Sequence, residues 1–259
     1  MNALRQLLAV AALAAAGLAH AADKPTVVLV HGAFADSASW NGVAEKLRAD
    51  GYPVIGAANP LRGVAADAQA VSAVVRSVKG PVVLVGHSYG GNVISNVANE
   101  AGNIKGLVYV AAFAPEAGES VAQLAGKFPG GTLGPALAEP VALPGGGKDL
   151  YIKQEAFHDQ FAADVPDAVA RLMAVGQRPV ALAALDEASG LPTWKSLPSW
   201  FVYGDADRNI PAQAMDWMAR RAASRHTVVV KGASHVVMVS HPAEVADLIE
   251  EAAQAGPGQ

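Results

Sequence analysis

The 259-residue chain has a formal charge of −4, 16% charged residues and no cysteine. One large α/β domain of this length buries an ample core, and the absence of any Lys/Arg cluster excludes a nucleic-acid footprint. Disulfides, thiol catalysis and Cys-ligated metals are excluded as well.

Taken in order, the chain opens on Arg5, an apolar run from Leu7 to Ala19 and the small-residue pattern Ala19-His20-Ala21. That is the layout of an export signal cleaved after Ala21, with an apolar run short of the ~20 residues needed to span a bilayer. Residues 1–21 are therefore expected to be a signal peptide, and the mature chain to be periplasmic or secreted with no stable membrane anchor. Thr26 to Val30 is a continuous β-branched run, as in a strand buried on both faces of a parallel sheet. A helix is expected over Ser39 to Asp50, a strand over Pro53 to Ala57 and a helix over Val64 to Lys79. The strand Pro81 to Val85 leads into Gly86-His87-Ser88-Tyr89-Gly90 and a helix from Gly91 to Glu100. Gly106 to Ala111 gives a fourth strand.

The alternation then breaks. Between Pro115 and Lys195 glycine and proline are frequent, helical pieces are expected over Tyr151–Asp164 and Pro166–Gly176, and no β-rich run is seen. It resumes with strand Trp200–Tyr203, helix Pro211–Ala222, strand Thr227–Val230 and helix Pro242–Ala253. The expected fold class is α/β, a doubly wound, mostly parallel sheet of about six strands. Its core comprises 22–114 and 198–259, and 115–197 is a helical cap insertion.

Strand, G-x-S-x-G, helix is the context of a nucleophile elbow, which lifts a serine hydroxyl clear of a sheet edge. Ligands of open α/β sheets sit at the carboxyl ends of strands, so the partners of Ser88 are sought there. His235 follows one strand end, and Asp205 and Asp207 both follow another. A serine hydroxyl needs a neutral imidazole to take its proton and a carboxylate to orient that imidazole. Spacing favours Asp207, while Asp205 could cap the turn. The backbone N–H groups of Tyr89 and Ala33 are the expected oxyanion donors. His31 and His87 read as structural neighbours of the site, His158 as a surface residue and His241 as the start of the last helix. Phe34, Phe113, Phe157 and Met238 are the candidates for an apolar substrate pocket. No cofactor or metal motif is present, and oligomeric state is not readable.

With these residues placed, the chain resembles the α/β-hydrolase superfamily from Thr26 to its last helix. It is most similar to plant methyl-ester esterases of the salicylate-binding type, their hydroxynitrile lyase relatives and bacterial homologues. The resemblance rests on Val28-Leu29-Val30-His31-Gly32-Ala33 with Trp40, Gly86 to Gly91, Asp207-Arg208-Asn209-Ile210-Pro211, and Ser234-His235-Val236-Val237-Met238. In that family the acid precedes a proline by four residues, which implies Asp207 over Asp205. The lyases place threonine after the first histidine and lysine after the catalytic one; here those positions are Gly32 and Val236. The resemblance thus implies a serine hydrolase cleaving a small or medium apolar carboxylic ester through an acyl-enzyme. Alternatives with the same triad are a lactonase, amidase or perhydrolase; a non-catalytic small-molecule receptor is more remote.

Overall fold

Valine-rich runs build the centre of the molecule. The computed structural model describes residues 24–255, so the signal peptide expected at 1–21 lies outside the described residues. Strands β1 (Thr26–Val30), β2 (Val54–Ala57), β3 (Val82–His87), β4 (Ile104–Val110), β8 (Ser199–Gly204) and β9 (His226–Val230) form one sheet in the order β2-β1-β3-β4-β8-β9. All five pairings are parallel. β3 and β8 are buried along their whole length, whereas the edge strands β2 and β9 keep exposed positions. Continuous burial is what an apolar run without alternation encodes, because helices cover both faces of such a sheet. Helix Pro242–Gln254 packs on helix Asn41–Ala49 and on β3, β4 and β8, and helix Tyr89–Ser95 packs on helix Val64–Ser77 and on β1 and β3.

The chain leaves β1 toward β2 and returns to β3 on the other side of β1. The crevice at such a reversal, beyond the carboxyl ends of β1 and β3, is where open α/β sheets bind ligands. Two segments that follow these strands, 31–34 and 87–91, meet there.

Residues 115–197 depart from the all-helical expectation. Helices Val121–Ala125, Gln154–Phe161, Asp167–Gly176 and Leu182–Asp186 are joined by a three-stranded antiparallel sheet of β5 (Val141–Ala142), β6 (Lys148–Leu150) and β7 (Val180–Ala181). Strands of two or three residues are too short to leave a period in the sequence. This segment is tied to the sheet domain by polar contacts. Arg62 pairs with Asp149 at 2.6 Å and donates to the Pro179 carbonyl at 2.9 Å. Glu187 accepts from the Val64 and Ala65 amides at 2.7 and 3.1 Å. Helix Val64–Ser77 has Gly63 at its N-cap with no side-chain bond, so Glu187, 123 residues away, supplies the missing acceptor. Among the described residues no helix is long and apolar enough to cross a membrane.

Candidate active site

The elbow is built by exclusion of side chains. A Cβ on Gly86 would stand 2.5 Å from the Gly90 carbonyl oxygen, and one on Gly90 would stand 2.6 Å from that of Val30. Glycine at both positions lets the helix start directly on the strand end. Ser88 takes φ 53° and ψ −121°, a region that L residues rarely adopt. The following helix runs from Tyr89 to Ser95, starting earlier and ending sooner than the expected Gly91–Glu100. At its C-cap the Asn96 side chain donates to the Asn92 carbonyl and to Ser189 and accepts from the Gly190 amide.

Three side chains from separate strand ends converge on this turn. Ser88 Oγ lies 2.8 Å from His235 Nε2, and His235 Nδ1 lies 2.7 Å from Asp207 Oδ2. The other Asp207 oxygen accepts from the amides of Asn209 and Ile210 at 2.7 and 3.0 Å. A carboxylate held on both oxygens cannot rotate away from the imidazole. The His235 and Asp207 side chains are shut off from solvent, with exposures of 1% and 0%. Asp205 is elsewhere: it accepts from the Gly232 amide at 2.6 Å and so clamps the turn after β9. An aligned serine, imidazole and carboxylate can pass a proton from hydroxyl to ring while the carboxylate fixes the tautomer.

His87 and His31 line the back of this arrangement. His87 is fully buried, donates from Nε2 to the His235 carbonyl at 3.1 Å and lies 4.8 Å from the His235 ring. His31 Nε2 accepts from the Asn59 amide, and Asn59 Nδ2 donates to the His31 carbonyl at 2.9 Å. These two bonds pin the segment leading to Ala33. Burial, reinforced by His235 and His31, holds the His87 imidazole well below the ordinary histidine range. The unfolded chain takes up a proton near pH 6.5 that the folded chain refuses. Stability is therefore full above about pH 6.5 and falls below it by up to about 1.4 kcal/mol per pH unit for this residue. His31, also lowered by burial, acts in the same sense. Urea midpoints measured from pH 5 to 7.5 should show the decline, and His87→Gln should make it shallower.

Tyr89 carries a second role in its side chain that the sequence did not disclose. Its hydroxyl donates to Asp67 at 2.8 Å, and Asp67 also accepts from the Arg62 and Gly63 amides. Burial pushes both the Asp67 carboxyl and the Tyr89 hydroxyl above their ordinary values. The buried pair fixes residue 89 to the first turn of helix Val64–Ser77 and, through the Arg62 and Gly63 amides, to the loop before it.

Ser88 and His235 open onto a cavity of about 200 Å³. Its wall includes Ala33, Tyr89, Phe34, Phe113 and Phe161, and no described lining residue is Asp, Glu, Lys or Arg. The Ala33 and Tyr89 amides have no hydrogen-bond partner among the described residues. Two expectations need correction. Phe157 and Met238 are completely buried and do not line the cavity. Phe157 instead packs behind Phe161, ring centroids 4.9 Å apart, so Phe161 holds the wall position. Val121, Leu133 and Leu185 of the inserted segment complete the wall, contributed by short elements whose placement no periodicity encodes. His158 is half-buried and bonds the Val165 carbonyl, and His241 is the N-cap of the last helix.

The model of the Alpha/beta hydrolase family matches residues 27–248. The chain belongs to that family. It is 37% identical over 113 residues to the carbendazim hydrolyzing esterase of Nocardioides sp. (strain SG-4G), a match covering 39% of this chain and 47% of that protein. The matched stretch is thus about half the length of that relative. Among solved structures, polyneuridine aldehyde esterase superposes with a TM-score of 0.76 at 19% identity, over 88% of this chain and 98% of that one. A pyrethroid hydrolase from Sphingobium faniae JZ-2 superposes with a TM-score of 0.69 at 19% identity, over 89% and 98%. Both share its overall α/β-hydrolase fold, which this chain builds from six parallel strands flanked by helices.

Proposed function

We propose that this α/β hydrolase cleaves carboxylic esters of small, uncharged alcohols and acids through an acyl group carried on Ser88. The observation that carries this is the unbroken relay Ser88–His235–Asp207 opening on a cavity without a charged carboxylate, ammonium or guanidinium group in its wall. His235 Nε2 takes the Ser88 proton as Oγ bonds to the ester carbonyl carbon. The carbonyl oxygen becomes an oxyanion facing the Ala33 and Tyr89 amides, each such donor contributing about 2.7–4 kcal/mol. Collapse breaks the bond to the alkoxide, which leaves with the proton from His235. Water, deprotonated by the same ring, then releases the acid. The carbendazim hydrolyzing esterase named above supports an ester-type bond as the target.

Gly32 favours this over the lyase chemistry of the wider group. A Cβ there would stand 2.7 Å from both the His87 carbonyl oxygen and Ser88 Cβ, so the lyases' threonine does not fit beside this elbow. A receptor would need the pocket alone and has no use for the relay. The apolar run Leu7–Ala19 followed by Ala19-His20-Ala21 supports export, so we place this activity in the periplasm or outside the cell.

The cavity is smaller than the roughly 300–1,000 Å³ of sites for drug-sized ligands. Hydrolysis of p-nitrophenyl esters should therefore peak at short acyl chains of about two to six carbons and fall at least about tenfold by ten carbons. Long-chain esters hydrolysed as fast as short ones would overturn the size assignment.

A further inference from the structure

A chain of hydrogen bonds fixes the orientation of one carboxamide in the cavity wall. The Arg208 backbone carbonyl can only accept, and the Gln160 side chain meets it at 3.0 Å, so that atom of Gln160 is the nitrogen, Nε2. The Gln160 oxygen correspondingly accepts from the Thr132 hydroxyl at 2.9 Å. Gln160 Nε2 also lies 2.7 Å from the Asn209 side chain, and facing a donor, Asn209 must present its oxygen. Asn209 Nδ2 is thereby turned the other way. It has no partner among the described residues, and Asn209, itself only 7% exposed, lines the cavity. The residue is immobilised from its backbone too, since the Asn209 amide donates to Asp207 at 2.7 Å.

An amide donor with no protein acceptor, on a residue largely shut off from bulk solvent, gains when a matching acceptor on a ligand meets it. We propose that Asn209 Nδ2 is a specificity-determining donor, selecting esters that carry a second oxygen acceptor, a ketone or ether, beyond the scissile carbonyl. The substrate class rests on the ester-hydrolase proposal; the donor itself rests only on the carboxamide chain. Gln160 is a positioning residue for it.

The test measures binding and does not depend on turnover. In the Ser88→Ala chain, affinities for methyl hexanoate, methyl 4-oxohexanoate and methyl 5-oxohexanoate are measured by calorimetry. Against that parent, Asn209→Asp, which keeps the Gln160 bond but cannot donate, should shift the keto-to-alkyl affinity ratio about three- to tenfold toward the alkyl ester. Asn209→Leu should do the same, and if it fails to fold the isosteric variant decides. An unchanged ratio for both keto esters overturns the proposal. Turnover of the same esters by the unmutated chain is read separately. Its absence alongside a shifted ratio would sink the hydrolase assignment and leave the donor standing.

Discussion

Ser88→Ala should lower kcat toward p-nitrophenyl esters by at least about 10⁴-fold, the scale seen when a serine nucleophile is removed from a relay of this type. The fold should survive. The Ser88 hydroxyl bonds His235 and, among the described residues, no other side chain, and the backbone at φ 53° is no harder for alanine to adopt than for serine. Thermal midpoints of the two proteins should therefore be close while their activities are not. The residual rate would come from the Ala33 and Tyr89 amides and the cavity, which the substitution leaves in place.

The second large effect separates two aspartates that are two residues apart. Asp207→Asn should cost about 10⁴-fold in kcat. The asparagine oxygen can still accept from the Asn209 and Ile210 amides, so the loop is kept. Its NH₂ then faces His235 Nδ1, which becomes an acceptor, and the ring proton moves to Nε2. There it points at Ser88 Oγ, where a base is needed. Asp205→Asn keeps an oxygen for the Gly232 amide and touches neither ring nitrogen. It should stay within about twofold of the parent. Paired rates for the two variants, with circular dichroism to show equal folding, decide the assignment.

The sheet was legible because its strands are short apolar runs, valine-rich in β1, β3 and β9, with glycine at the turns, and positions just past strand ends pointed to Ser88, His235 and the aspartates. Between the two aspartates, spacing and the proline four residues on already favoured Asp207; the carboxylate directions, Asp207 toward His235 and Asp205 toward the Gly232 amide, agree with that choice. Phe157 and Met238 show what the sequence leaves open: being an aromatic of the inserted helical segment, or following His235 closely along the chain, does not say which way a side chain faces, and both point into the core. The antiparallel strands β5 to β7 and the Glu187 bonds to helix Val64–Ser77 depend on contacts between distant segments, which no local period records. Asp67 belongs with these. In sequence it is one more first-turn helix acid, and only the packed structure sets it on the Tyr89 hydroxyl.

The central claim is a covalent one, so the most direct measurement is mass spectrometry of the intact and digested protein after reaction with a fluorophosphonate. One adduct per chain, on the peptide carrying Ser88, should appear in step with loss of ester hydrolysis, slow in Asp207→Asn and absent in Ser88→Ala. Inactivation with the label on a different residue, or undiminished ester turnover by Ser88→Ala, would contradict it.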